Sequence, residues 1–188
     1  MTPLSFPKGL PLTVEPLALP LSYQGSFSQF TALSGATSNS DGVATYQSFC
    51  KGLPRAVARE LGDDAAPHSS ATGWMVKLWF GNKDLHYECG VYRSRKVVEL
   101  GLHFESDALT NQLLLGAIRG HAKAIAKKLP SARIESWDKG WARVWEPMPL
   151  APFDEPYSAR VTKTLARYVR VLEPILEDSL PADVRWSR

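Results

Sequence analysis

Hydrophobic and polar residues alternate in two distinct rhythms along this chain, and the rhythms predict its elements. Tyr46, Phe49, Cys50, Leu53, Val57 and Leu61 recur at helical spacing. Ser40 or Asp41 is placed to cap that helix, Pro54 to kink or restart it, and Gly62 to end it. Residues 62–73, GDDAAPHSSATG, read as a polar, mobile linker in which His68 has no evident partner. The rhythm then changes to period two. Three half-buried strands are expected at about 74–80, 85–92 and 97–105, joined by the short turn segments GNKD and RSRK.

Helical spacing returns after Ser106 and Asp107. Leu109, Leu113, Leu114, Ala117, Ile118, Ile125 and Leu129 predict one long helix that Pro130 stops. His121 falls beside this stripe and is expected to be partly buried. A second hairpin follows, ARIESW and WARVWE around Asp138-Lys139-Gly140, where the glycine suits a type I turn with a G1 bulge. Asp154 is the natural cap of a last helix, with Tyr157, Val161, Leu165, Tyr168, Val169 and Leu172 on its buried side and a kink or restart at Pro174.

The order helix, three strands, helix, two strands, helix predicts an α+β fold. Its simplest packing is two layers, a five-stranded antiparallel sheet with every helix on one face. This order of elements is similar to that of the secretion chaperones of type III systems, although those tend to be acidic and this chain is basic. Residues 1–40 read as an extended Pro/Ser-rich arm and residues 41–188 as one α+β domain. The arm's prolines and its lack of a cationic start argue against a signal peptide, and no stretch has the apolar length of a membrane span.

Register sharpens the sheet. If Phe80 pairs with Leu85 and Tyr92 with Val97, one face collects Trp74, Val76, Leu78, Phe80, Leu85, Tyr87, Cys89, Val91, Val98, Leu100, Leu102 and Phe104. A slip of one residue would bury charges instead. The opposite face then carries Lys77 beside Glu88, and Trp79 beside His86 beside His103. Ile134 and Val144 point the second hairpin's apolar side to the core, which leaves Arg133, Glu135, Trp137, Trp141, Arg143 and Trp145 on the opposite face, with Tyr92 near them. Either the arm or a second copy covers this aromatic and cationic surface, or it binds a partner.

Charge and composition add three points. Net charge is +3, and the excess is confined to the second half: residues 1–90 carry 6 Lys/Arg against 7 Asp/Glu, and residues 91–188 carry 16 against 12. Arg119, Lys123 and Lys127 repeat along the long helix, with Lys128 adjacent, and Arg160, Lys163, Arg167 and Arg170 along the last. These stripes are candidate phosphate contacts for a nucleic acid. Two cysteines, Cys50 and Cys89, make neither a disulfide framework nor a zinc quartet and fit a reducing, cytoplasmic setting.

The chemical motif that remains is a repeated His-x-Glu. His86, Glu88, His103 and Glu105 fall on adjacent strands, and the register above sets the two imidazoles side by side. Two imidazoles and a carboxylate can hold zinc or iron with an open position. No G-x-S-x-G, Walker A, G-x-G-x-x-G or H-E-x-x-H pattern is present. The sequence therefore points to a non-catalytic binding module, a homo-oligomer or the receiver of a protein partner. Nucleic-acid binding is the alternative, and a metal-dependent enzyme at the paired His-x-Glu the rival of a different class.

Overall fold

The computed structural model describes residues 44–62 and 66–179. They form an α+β fold: a six-stranded antiparallel sheet and the helices that cover it. Helix α1 spans Tyr46–Leu61. The strands β1 His68–Ala71, β2 Met75–Trp79, β3 Leu85–Tyr92 and β4 Val97–Phe104 follow. Helices α2 Ala108–Gly120 and α3 Ala122–Lys128 precede β5 Arg133–Ser136 and β6 Ala142–Pro149, and α4 Glu155–Ser179 closes the described chain. The strand order across the sheet is β1-β2-β3-β4-β6-β5.

Thr45 caps α1, its hydroxyl accepting from the Ser48 N–H, and Gly62 ends the helix in a left-handed conformation (φ 98°). Ser40 and Asp41, like the whole arm, lie outside the described residues. The expected interruptions at Pro54 and Pro174 do not divide α1 or α4, since each helix is continuous through its proline. Asp107 caps α2 through the N–H groups of Leu109 and Thr110. Asp154 accepts from the Tyr157 N–H at the start of α4.

The register is the one the apolar pattern demands. Lys77 pairs with Glu88, His86 with His103, and Glu88 with Gly101. Across the second hairpin Ile134 pairs with Val144 and Glu135 with Arg143. The pairing of β4 with β6, which no local turn dictates, sets Gly101 beside Trp145 and His103 beside Arg143. The apolar face from Val76 to Phe104 merges with Phe49, Leu53 and Val57 of α1, Leu114 and Ile118 of α2, and Val161, Leu165 and Leu172 of α4 in one core.

Several expectations are corrected. The sheet has six strands because His68–Ala71, expected as linker, pairs with β2 through its backbone. All four of its side chains are exposed, so it carries no hydrophobic alternation to read. Trp74 precedes β2 and is 44% exposed, packed edge-on against Tyr92, and is not a core residue. The long helix divides at His121, an exposed residue that closes α2 and opens α3. Leu109 and Leu113 are both 68% exposed, because α2 turns Leu114, Leu115 and Ile118 inward instead. In the second hairpin Lys139 (φ 60°) shares the left-handed conformation with Gly140, so two residues rather than one take up the turn.

Candidate functional site: the helix-free face of the sheet

Among the described residues, the helices contribute to the core on one side of the sheet. The other side is built from alternate positions of all six strands. Its floor is lowered at two glycines. A Cβ on Gly101 would lie 2.1 Å from the Val144 carbonyl oxygen and 2.5 Å from Trp145 Cα, so only glycine lets β6 come this close. A Cβ on Gly90 would meet the Tyr92 ring at 2.7 Å. Trp145 and Tyr92 thus fold down over bare backbone. Gly101 does not stand out in the sequence, because β6, which it admits, is distant along the chain, whereas Gly90 makes room for Tyr92 two residues along its own strand.

The aromatic residues expected here are present, but their faces are already occupied. The Arg143 guanidinium stacks 3.8 Å from the Trp145 ring centre and 4.7 Å from that of Trp137. Arg133 also lies over the Trp145 ring at 5.3 Å, Arg95 over Tyr92 at 4.0 Å, Lys139 over Trp141 at 5.1 Å and Lys83 over Trp79 at 5.6 Å. Glu135 ties three groups together: it accepts from Arg143 Nε and Nη2 and from the Trp145 indole N–H at 2.7 Å. Glu99 accepts from Arg95 at 2.6 Å and lies 3.6 Å from Arg143. Trp145, expected on the surface, is therefore buried, while Trp79, Tyr92, Trp137 and Trp141 are half-buried. His68, expected to lack a partner, stacks on Trp79.

The paired His-x-Glu lies at the centre of this face. His86 and His103 are stacked with ring centres 5.8 Å apart and planes 19° from parallel. One ligand atom from each of His86, Glu88, His103 and Glu105 falls within 4.8 Å of all the others. His86, His103 and Glu88 are 1%, 4% and 5% exposed, and Glu105 is half-buried at the edge. Lys77 closes that edge, its ammonium donating to Glu105 at 2.8 Å and lying 3.7 Å from Glu88. Burial holds the His103 imidazole well down, at about 4, so the ring is neutral at physiological pH. His86 Nε2, His103 Nδ1 and the Trp137 indole nitrogen are all buried without a hydrogen-bond partner.

The two basic stripes do not join this site. Arg119, Lys123 and Lys127 are exposed on α2 and α3. On α4 all four cations are exposed, with Arg170 paired to Glu60 and Arg160 over the Tyr157 ring. Neither cysteine offers a nucleophile. Burial pushes the Cys50 thiol up to about 11 and that of Cys89 higher still. No described helix is long and apolar enough to cross a membrane. No family model, curated protein or solved structure matches the chain.

Proposed function

We propose that this protein is a non-catalytic binding module that associates with a second copy of itself through the helix-free face of its sheet. The observation that carries this reading is the cation stacked on each of the face's five aromatic residues, Trp79, Tyr92, Trp137, Trp141 and Trp145. Tryptophan, tyrosine and arginine supply most of the energy of protein interfaces, and holding them in place before binding removes part of the entropic cost. The charges also suit a self-complementary contact. Exposed Arg133, Lys83 and Lys139 lie beside the aromatic residues, and exposed Asp138 sits in the turn between β5 and β6, so a two-fold axis could set cations of one copy against that carboxylate of the other.

The same observation weighs against nucleic acid at this face. A base stacks on a free ring, and here the chain's own cations take that place. The nucleic-acid reading keeps the two exposed helical stripes, Arg119, Lys123, Lys127 and Lys128 on α2 and α3 and Arg160, Lys163, Arg167 and Arg170 on α4, which are separate from this face. A metal-dependent enzyme needs a coordination position that substrate can reach, and the His-x-Glu pair is too deeply buried for that.

Sedimentation of the full chain tests the proposal. The expected result is a mass near twice 20.8 kDa, with Trp141→Glu combined with Arg133→Glu lowering it to that of one chain. A wild-type monomer across micromolar concentrations, or a dimer indifferent to both substitutions, would defeat it.

A further inference from the structure

At the centre of the helix-free face, four potential ligands are gathered at a spacing that hydrogen bonds do not explain. His86 Nε2 lies 3.7 Å from Glu88 Oε2 and 3.8 Å from Glu105 Oε2, and His103 Nδ1 lies 4.0 Å from Glu105 Oε1. Each distance is too long for a hydrogen bond. Two atoms that ligate one tetrahedral zinc ion at ~2.0–2.2 Å are themselves roughly 3.2–3.5 Å apart. These three pairs would need to shorten by about half an ångström, and the widest pair of the four, at up to 4.8 Å, by about an ångström, to enclose an ion.

The histidine nitrogens support the same conclusion. His86 Nδ1 is 2.9 Å from the Lys83 carbonyl oxygen. A carbonyl only accepts, so Nδ1 carries a hydrogen, and Nε2 is the ring nitrogen turned toward the two carboxylates. This arrangement, with one ring nitrogen fixed by a backbone carbonyl and the other aimed at a carboxylate cluster, is the usual support of a metal-ligating histidine. A metal ion seated between Nε2 and the carboxylate oxygens would satisfy all of them at once. His103 Nδ1 is orphaned on the same side.

We propose that His86, His103, Glu88 and Glu105 bind one divalent transition-metal ion of the zinc class. Two imidazoles and two carboxylates form a closed, four-ligand set, and the burial of three of them marks a structural rather than a catalytic site. The set comes from both β3 and β4, so the ion pins the two central strands beneath the aromatic residues of the face. Lys77 places its ammonium against Glu105 and Glu88, where the ion would otherwise supply the positive charge. Its side chain is a quarter exposed at the rim, so it can swing into solvent when the ion enters beside Glu105. The lysine is thus a built-in competitor that weakens the site. This site goes beyond the self-association proposed above, and metal uptake is measured without reference to oligomeric state.

The test is titration of chelator-treated full-length protein with zinc chloride, followed by calorimetry, and with cobalt(II), followed by its visible absorption. One equivalent should bind. Cobalt should give the intense bands of a tetrahedral site, and saturating zinc should raise the melting temperature by roughly 5 °C. Glu105→Gln, the least buried change, should weaken binding by about tenfold or more while the metal-free protein melts as wild type. Lys77→Met should tighten binding by a similar factor, a result that loss of folding cannot mimic. Absence of uptake in the wild type would overturn the proposal. So would uptake that neither Glu105→Gln nor Lys77→Met alters, since the ion would then be held elsewhere.

Discussion

The two faces of this sheet hide side chains from water by opposite means. On the helix side Val76, Leu78, Leu100 and Leu102 are covered by apolar side chains of α1, α2 and α4. There the free energy comes from area removed from water and from close packing, neither of which depends on direction. On the other side His86, Glu88, Glu99 and Trp145 are equally hidden, but among rings, guanidinium groups and carboxylates held by directional contacts. An apolar core tolerates exchange of similar volumes, whereas a polar network fails at any member left without its partner. The helix side is thus the foundation of the fold, and the helix-free side is a surface with a specified arrangement.

Three substitutions would break or sharpen this contrast. The largest effect is expected on the helix side, where Leu102→Ala should cost about 3 kcal/mol in urea unfolding through the cavity it leaves. A loss no greater than that of a surface change would mean that this face is not the foundation. Next comes Gly101→Ala, which sits between the two regimes. Its Cβ would press on Val144 and Trp145, and β4 and β6 would have to part, at roughly 2 kcal/mol, with a shift in tryptophan emission. Unchanged stability and emission would show that the close approach of Trp145 is not required. Smallest is Arg143→Met, which removes the pairs to Glu135 and Glu99 and both ring stacks. Because those contacts partly exchange with water, about 1–2 kcal/mol is expected. In a double-mutant cycle with Glu135→Gln the two changes should be coupled by about 1 kcal/mol. Strict additivity would mean that the face is a set of separate pairs rather than a network.

Much of this was legible along the chain, for identifiable reasons. The pairing of His86 with His103 follows from two short hairpins, because a turn of fixed length leaves one register that keeps charges out of the core. The caps at Asp107 and Asp154 follow from local hydrogen bonding. β1 was not legible, because an edge strand of four exposed residues, His68, Ser69, Ser70 and Ala71, has no hydrophobic alternation and is placed by its backbone pairing with β2. Leu109 and Leu113 misled because helical spacing describes a stripe about 100° wide, and which part of it faces inward depends on how the helix docks. The metal-ligand candidates were named from the His-x-Glu repeat, and the register set Lys77 beside Glu88, but the reach of the Lys77 ammonium across β3 to Glu105, just past the end of β4, was not legible.

By itself, then, the sequence determined what is local: the helical segments, the β2–β3, β3–β4 and β5–β6 hairpins with their registers, and so which residues of those strands share a face. Only the tertiary structure decided what is not local. The pairing of β4 with β6 brings residues some forty positions apart into contact and sets Arg143 beside His103 and Trp145 over Gly101. The physical reason is that side-chain alternation encodes the side of the sheet on which a residue lies, while its neighbours across the sheet are chosen by packing of the whole core.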